Sequence, residues 1–172
     1  MPFKGPALAA LCLASLVAPP AVAATPPRVE IVSYAQRRTP LPYPYDERAD
    51  ADAAVAAGKA RARREHKLLM IDLGGNWCGD CRILAGTMDL PSLKAFTEAH
   101  FVVVFVDVGR FDRNLRIPAH YGITKRLEGV PSLLIVDPVT DRLLDPGQDA
   151  ALQDARHLSP QALADWIAQW TP

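Results

Sequence analysis

Leu68-Leu69-Met70-Ile71-Asp72-Leu73 runs into Trp77-Cys78-Gly79-Asp80-Cys81, and Arg82-Ile83-Leu84 follows. The first segment is an apolar run of strand length, and the last continues as a helix. A buried strand therefore delivers two cysteines, two residues apart, to the first turn of a helix. Backbone N–H groups in that turn lack intrahelical partners and present the positive end of the helix dipole. A thiolate is stabilised there, and the thiolate is the form that attacks disulfides. The spacing also lets the second sulfur close onto the first. The pair reads as a dithiol/disulfide switch.

Outward from that site, composition describes one globular domain. The chain has 172 residues, 49% apolar and 22% charged, enough for one core of ordinary size. Nineteen basic residues balance nineteen acidic ones. Neither nucleic acid nor an anionic membrane is implied as a partner.

The N-terminus has the pattern of a signal peptide, predicted over residues 1–24. Lys4 supplies the positive start, Ala7 to Ala18 is apolar but shorter than the roughly 20 residues of a membrane span, and Pro19-Pro20 ends it. Ala21-Val22-Ala23 offers small residues for cleavage after Ala23 or Ala24. The expectation is an exported, periplasmic protein without stable membrane insertion. Cys12 leaves with that segment, so Cys78 and Cys81 remain as the sole pair. A disulfide closing so short a loop restricts the unfolded chain little, so a redox role explains the pair better than a structural one.

Residues 25–45 hold five prolines, Pro26, Pro27, Pro40, Pro42 and Pro44. They read as a proline-rich arm with a short edge strand over Arg28–Tyr34. Tyr43 and Tyr45 are expected to pack on the domain that follows. Asp46 is read as the N-cap of a helix reaching about His66, with an alanine face that lies close on a sheet and Gly58 weakening it slightly. Pro91 to Ala99 reads as a helix. Phe101 to Val108 reads as a strand buried on both faces. Asn114 or Asp112 is placed as the cap of a short helix toward Tyr121. Leu133 to Asp137 and Arg142 to Leu144 are strands joined by a turn, and Ser159-Pro160 starts the closing helix.

This order of elements resembles the thioredoxin fold, an α/β architecture with a central mixed sheet flanked by helices, here with an N-terminal extension. The resemblance rests on Trp77-Cys78-Gly79-Asp80-Cys81, on Asp72 in the incoming strand, and on Val130-Pro131-Ser132 before a later strand. It covers about Asp46 to Trp170, and the domain is drawn over 46–172. The chain departs from thioredoxin proper at Asp80, where thioredoxin has proline, and at Gly74, where it has an aromatic.

The resemblance implies roles. Cys78 is the nucleophile and Cys81 resolves the mixed disulfide. Asp72, buried, accepts the proton of Cys81 through a water. Trp77 shields the site, while Val130 and Pro131, if the proline is cis, offer backbone to a substrate chain. A fall in the Cys78 pKa from about 8.5 to about 7 corresponds to about 2 kcal/mol, within reach of a helix N-terminus. Asp80 is expected to repel the thiolate and make the couple reducing, nearer about −270 mV than about −120 mV. The partners implied are protein thiols or disulfides and a membrane electron donor, with no cofactor.

Two other classes compete. One is a module holding a soft ion such as Cu(I) on the same cysteines. The other is a binding protein on this scaffold that no longer turns over. His66, His100, His120 and His157 lie on separate predicted elements without ligand spacing, and no metal site is expected from them.

Overall fold

Seven residues, Leu68–Gly74, form strand β1, and from Leu69 onward all of them are buried. It is the centre of a four-stranded sheet of order β2-β1-β3-β4. Strand β2 (Phe101–Asp107) runs parallel to β1, while β3 (Ser132–Asp137) is antiparallel to β1 and pairs in turn with the two-residue β4 (Arg142–Leu143). The computed structural model describes Met1, residues 24–36 and residues 39–171. Apart from Met1 and Ala24, the predicted signal peptide lies outside the described residues.

The parallel β1–β2 step requires a crossover, supplied by helices α2 (Gly79–Met88) and α3 (Pro91–His100). Side chains alternate across each strand, which divides the core in two. On one face Leu69, Ile71, Val102 and Leu134 meet helix α1 (Ala51–Glu65) and the short helix α4 (Arg116–His120). On the other, Met70, Leu133 and Ile135 meet α2, α3 and the closing helix α5 (Pro160–Ala168). The architecture is the thioredoxin-like one that the sequence resembles.

Several local expectations are corrected. Asp50, not Asp46, caps α1: its side chain accepts the Ala53 N–H, an arrangement worth about 1 kcal/mol. Asp46 instead accepts the Arg48 N–H in the preceding turn. Gly58 is required, not merely tolerated, because a Cβ there would overlap the Val104 side chain. Strand β2 is an edge strand, and Val103, Val104 and Phe105 are only partly buried. Helix α4 starts after Leu115 with no side-chain cap. Asn114 donates to the Asp107 carbonyl, and Asp112 accepts the Arg110 N–H.

Arg28–Tyr34 forms no strand. The Val29 N–H goes to the Gln161 side chain, and the Val32 and Ser33 N–H groups go to Gln36. The arm is nonetheless fastened along its length. Gln161 of α5 donates to the Pro27 carbonyl, Glu30 accepts the Ser92 N–H at the start of α3, and Arg82 of α2 reaches the carbonyls of Leu41 and Pro42. The arm thus crosses the α5, α3 and α2 side of the domain in that order.

Candidate active site

Strand β1 ends at Gly74, and a turn closed by the Cys78 N–H on the Gly75 carbonyl lifts the chain into α2. Cys78 is the N-cap of that helix. Its backbone is extended, and its Sγ accepts the Cys81 N–H at 3.1 Å. The sulfur stands where a serine or aspartate oxygen would cap a helix, so the helix terminus is built to hold a negative charge on Cys78 when the pair is reduced. In this structure Cys78 and Cys81 form a disulfide with Cα atoms 5.3 Å apart. Cys78 keeps 6% of its surface exposed and Cys81 none. Only the first can meet a partner without rearrangement.

The Val130–Pro131 peptide bond is cis, and Cys78 Sγ lies 3.4 Å from the Val130 carbonyl oxygen. The oxidised sulfur carries no proton, so this is a contact and not a hydrogen bond; a reduced Cys78 thiol would have an acceptor there. Ser132 and Leu133, next along, are tied to Asp149 by a side-chain and a backbone hydrogen bond. These bonds fix the loop beside the sulfurs.

Trp77 is 41% exposed. Its indole N–H donates to the Gly109 carbonyl, its ring meets Phe111, and the Arg110 guanidinium lies 4.2 Å over it. Arg126 stacks on Phe111 in the same way. The rim beside Cys78 is therefore aromatic and cationic.

Asp72 is fully buried on the α2 face of β1. One carboxylate oxygen accepts the Tyr45 hydroxyl at 2.8 Å, and among the described residues the other has no hydrogen-bond partner. Burial pushes its pKa up to about 7, opposed by the Tyr45 hydrogen bond. A carboxyl in that state can take up and release a proton near neutral pH.

Asp80 differs from expectation. Arg156, in the turn before α5, grips its carboxylate through Nε and Nη2 at 2.6–3.0 Å and adds a backbone N–H at 2.9 Å. Partial burial pushes the Asp80 pKa up, but these donors outweigh it and hold the carboxyl below the usual range. The charge expected to repel the Cys78 thiolate is therefore compensated. Arg156 Nη2 also lies 3.3 Å from the point a Cβ on Gly79 would occupy, so the neutralising cation sits over the helix tip itself.

Of the sequence-derived residues, Cys78, Cys81, Trp77 and Val130 converge at the tip of α2, with Pro131 next to Val130 and Asp72 beneath. Arg156, Asn76 and Arg82 have no place in the sequence-derived site, and Tyr45 enters there only as an aromatic that packs on the domain. Arg156 is 76 residues from Asp80 and carries no local signal. For Tyr45 a signal existed: a glycine at position 74 leaves a space that something must fill.

A cysteine sulfur capping a helix N-terminus, a second sulfur one turn on and bonded to it, a buried acid and a cis-proline loop make up a thiol–disulfide exchange centre. The family model described as thioredoxin-like matches residues 50–138, and the chain belongs to the thioredoxin-like family. A solved structure of a disulphide isomerase from Xylella fastidiosa Temecula1 is 36% identical, with a TM-score of 0.68, the match covering 74% of this chain and 96% of that one. A protein of unknown function from Pseudomonas aeruginosa is 16% identical, covering 71% and 84%, with a TM-score of 0.39. A DsbH oxidoreductase is 20% identical, covering 72% and 92%, with a TM-score of 0.39. No curated protein matches the chain at a significant level.

Proposed function

We propose that this protein is an exported, periplasmic thiol–disulfide oxidoreductase that reduces disulfides in protein clients. The carrying observation is Cys78 as the N-cap of α2, its sulfur held by the Cys81 N–H beside the Val130 carbonyl. In the reduced enzyme the Cys78 thiolate attacks one client sulfur. A Cys78–client bond forms, and the other client sulfur leaves as a thiolate that takes a proton from solvent. Cys81 gives its proton to Asp72 through a water, attacks Cys78 Sγ, and the second client thiolate departs. Two electrons pass from the enzyme dithiol to the client.

The reducing direction rests on charge at the helix tip. Arg156, the cation over that tip, is tied to Asp80, which leaves backbone N–H groups as the main support of the thiolate. A weakly stabilised thiolate gives a more reducing couple, nearer about −270 mV than about −120 mV. Fresh electrons would then come from a membrane donor. Val130 and Pro131 pair with the client backbone, and Trp77 forms the wall beside it. Export is supported by the sequence of residues 1–24. Among the described residues no helix is long and apolar enough to cross a membrane.

Two assays test this reading. Equilibration with glutathione is expected to place the couple near the thioredoxin end, and a value at the oxidant end removes the proposed direction. Insulin reduction is expected to vanish in Cys78→Ser, while Cys81→Ser accumulates a mixed disulfide. Tight Cu(I) binding without insulin reduction would favour the copper module instead.

A further inference from the structure

We propose that the proline-rich arm is a working part of the active site, and that its Tyr45 is a positioning residue controlling proton exchange at Asp72. This rests on the oxidoreductase reading above. Tyr45 is 2% exposed although it ends a segment rich in proline. Its ring meets Phe105 of β2 edge-on, and its hydroxyl donates to Asp72 at 2.8 Å.

The space it fills is opened by Gly74. A Cβ on Gly74 would fall on the Tyr45 hydroxyl and would lie 2.9 Å from Cys81 Sγ. The hydroxyl and the resolving sulfur therefore flank the same backbone position, with Asp72 two residues earlier on the strand. A side chain at 74 would displace Tyr45, the sulfur or both. The glycine and the tyrosine form one arrangement, made from segments 29 residues apart in the chain.

Residues on either side of the cysteine motif hold the arm in this register. Asn76 accepts the Tyr45 N–H at 3.2 Å and donates to the Tyr45 carbonyl at 2.7 Å. Arg82, directly after Cys81, donates to the Pro42 and Leu41 carbonyls, and its guanidinium lies 3.8 Å over the Tyr43 ring. A surface tail would not be read at its backbone by the two residues that bracket the redox pair. Proline suits such a strap because its fixed φ lowers the entropy lost on docking.

The consequence for chemistry follows from the hydrogen bond. A phenol donating to a carboxylate favours the ionised form, so Tyr45 keeps Asp72 able to receive the Cys81 proton near neutral pH. The other groups around Asp72 do not supply this. Strand β3 presents Leu133 opposite it and β2 presents Phe105. Asp107, at the end of β2, is a second acid paired with Arg113, α2 contributes Cys81, and Arg82 is directed at the arm's carbonyls.

Tyr45→Phe keeps the ring and removes the donor. Carboxyl NMR of the oxidised protein, which requires no turnover, is expected to show the Asp72 midpoint rising by about one pH unit, a tenfold change in proton affinity. The pH midpoint of insulin reduction should rise with it, while near-ultraviolet circular dichroism stays native. Asn76→Ala, which loosens the strap with Tyr45 present, should move both midpoints part of the way, and serves if Tyr45→Phe does not fold. An unchanged Asp72 midpoint in the folded variants overturns the proposal. A wild type without exchange activity but with the Asp72 shift intact removes the oxidoreductase reading, yet supports the coupling of Tyr45 to Asp72.

Discussion

Two carboxylates flank the same pair of sulfurs, and their surroundings send them in opposite directions. Asp80, on the outer side, meets a guanidinium in bidentate geometry and stays charged. Asp72, on the inner side, meets one neutral hydroxyl and, among the described residues, no cation, and burial lifts its pKa to about 7. The outer acid is a fixed charge that, with Arg156, sets the electrostatic balance at the helix tip. In the proposed mechanism the inner acid carries the proton. Residue type alone assigns neither role; the partner does.

The largest effect is expected at Asp72. Asp72→Asn cannot take a proton from Cys81, and the resolving step is expected to slow by about 100-fold at pH 7, the lower range for lost general-base catalysis. Rapid-mixing kinetics of mixed-disulfide resolution reads this. A loss below about threefold would return Asp72 to a structural role. The same variant carries an opposite stability signature. A raised folded-state pKa means that stability present at low pH is lost as pH rises from about 4 through about 7. At pH 8 the ionised acid then costs up to about 4 kcal/mol, and Asp72→Asn should unfold at higher denaturant than wild type there. Near pH 4 the two proteins should converge.

Much of this centre was legible before coordinates because its signals are local. The strand, the cysteine spacing and the cap sulfur lie within fourteen residues, and Ser159-Pro160 announces α5 by a cap that accepts the Ala162 N–H. Local pattern is ambiguous where two candidates obey the same rule or where tertiary position decides. Asp46 and Asp50 both precede the alanine run, and only the second has helix after it. A β-branched run such as Phe101–Val106 reads alike at an edge or a centre; its place here depends on β1 pairing with β3 on its other side. The link from Arg156 to Asp80 and that from Tyr45 to Asp72 are contacts between distant segments, which no spacing rule reaches.

Next in size is the outer pair. Arg156→Gln leaves Asp80 uncompensated beside Cys78, destabilises the thiolate and makes the couple more reducing. Asp80→Asn leaves Arg156 unpaired over the helix tip and shifts the couple the other way. Each is expected to change the equilibrium constant with glutathione by about tenfold, which is about 30 mV for two electrons. The double variant should return close to wild type, because the effect belongs to the balance of the pair. Shifts of the same sign in both single variants would show that the turn holding Arg156, and not its charge, controls the potential.

The smallest expected effect is on stability at the same position. Arg156 remains about half exposed while it grips Asp80, so solvent and salt screen the pair, and pairs of this kind contribute little to stability. Asp80→Asn should therefore leave the denaturant midpoint nearly unchanged at neutral pH while moving the redox potential. The contrast with Asp72→Asn is then complete: the inner substitution stabilises at high pH and slows chemistry, and the outer one tunes the potential at little cost to the fold. If Asp80→Asn instead lost several kcal/mol, the pair would be acting as a clamp between α2 and the turn before α5. Its influence on the sulfurs would then be mechanical, because a helix tip released from that turn changes the position of Cys78 as well as its field.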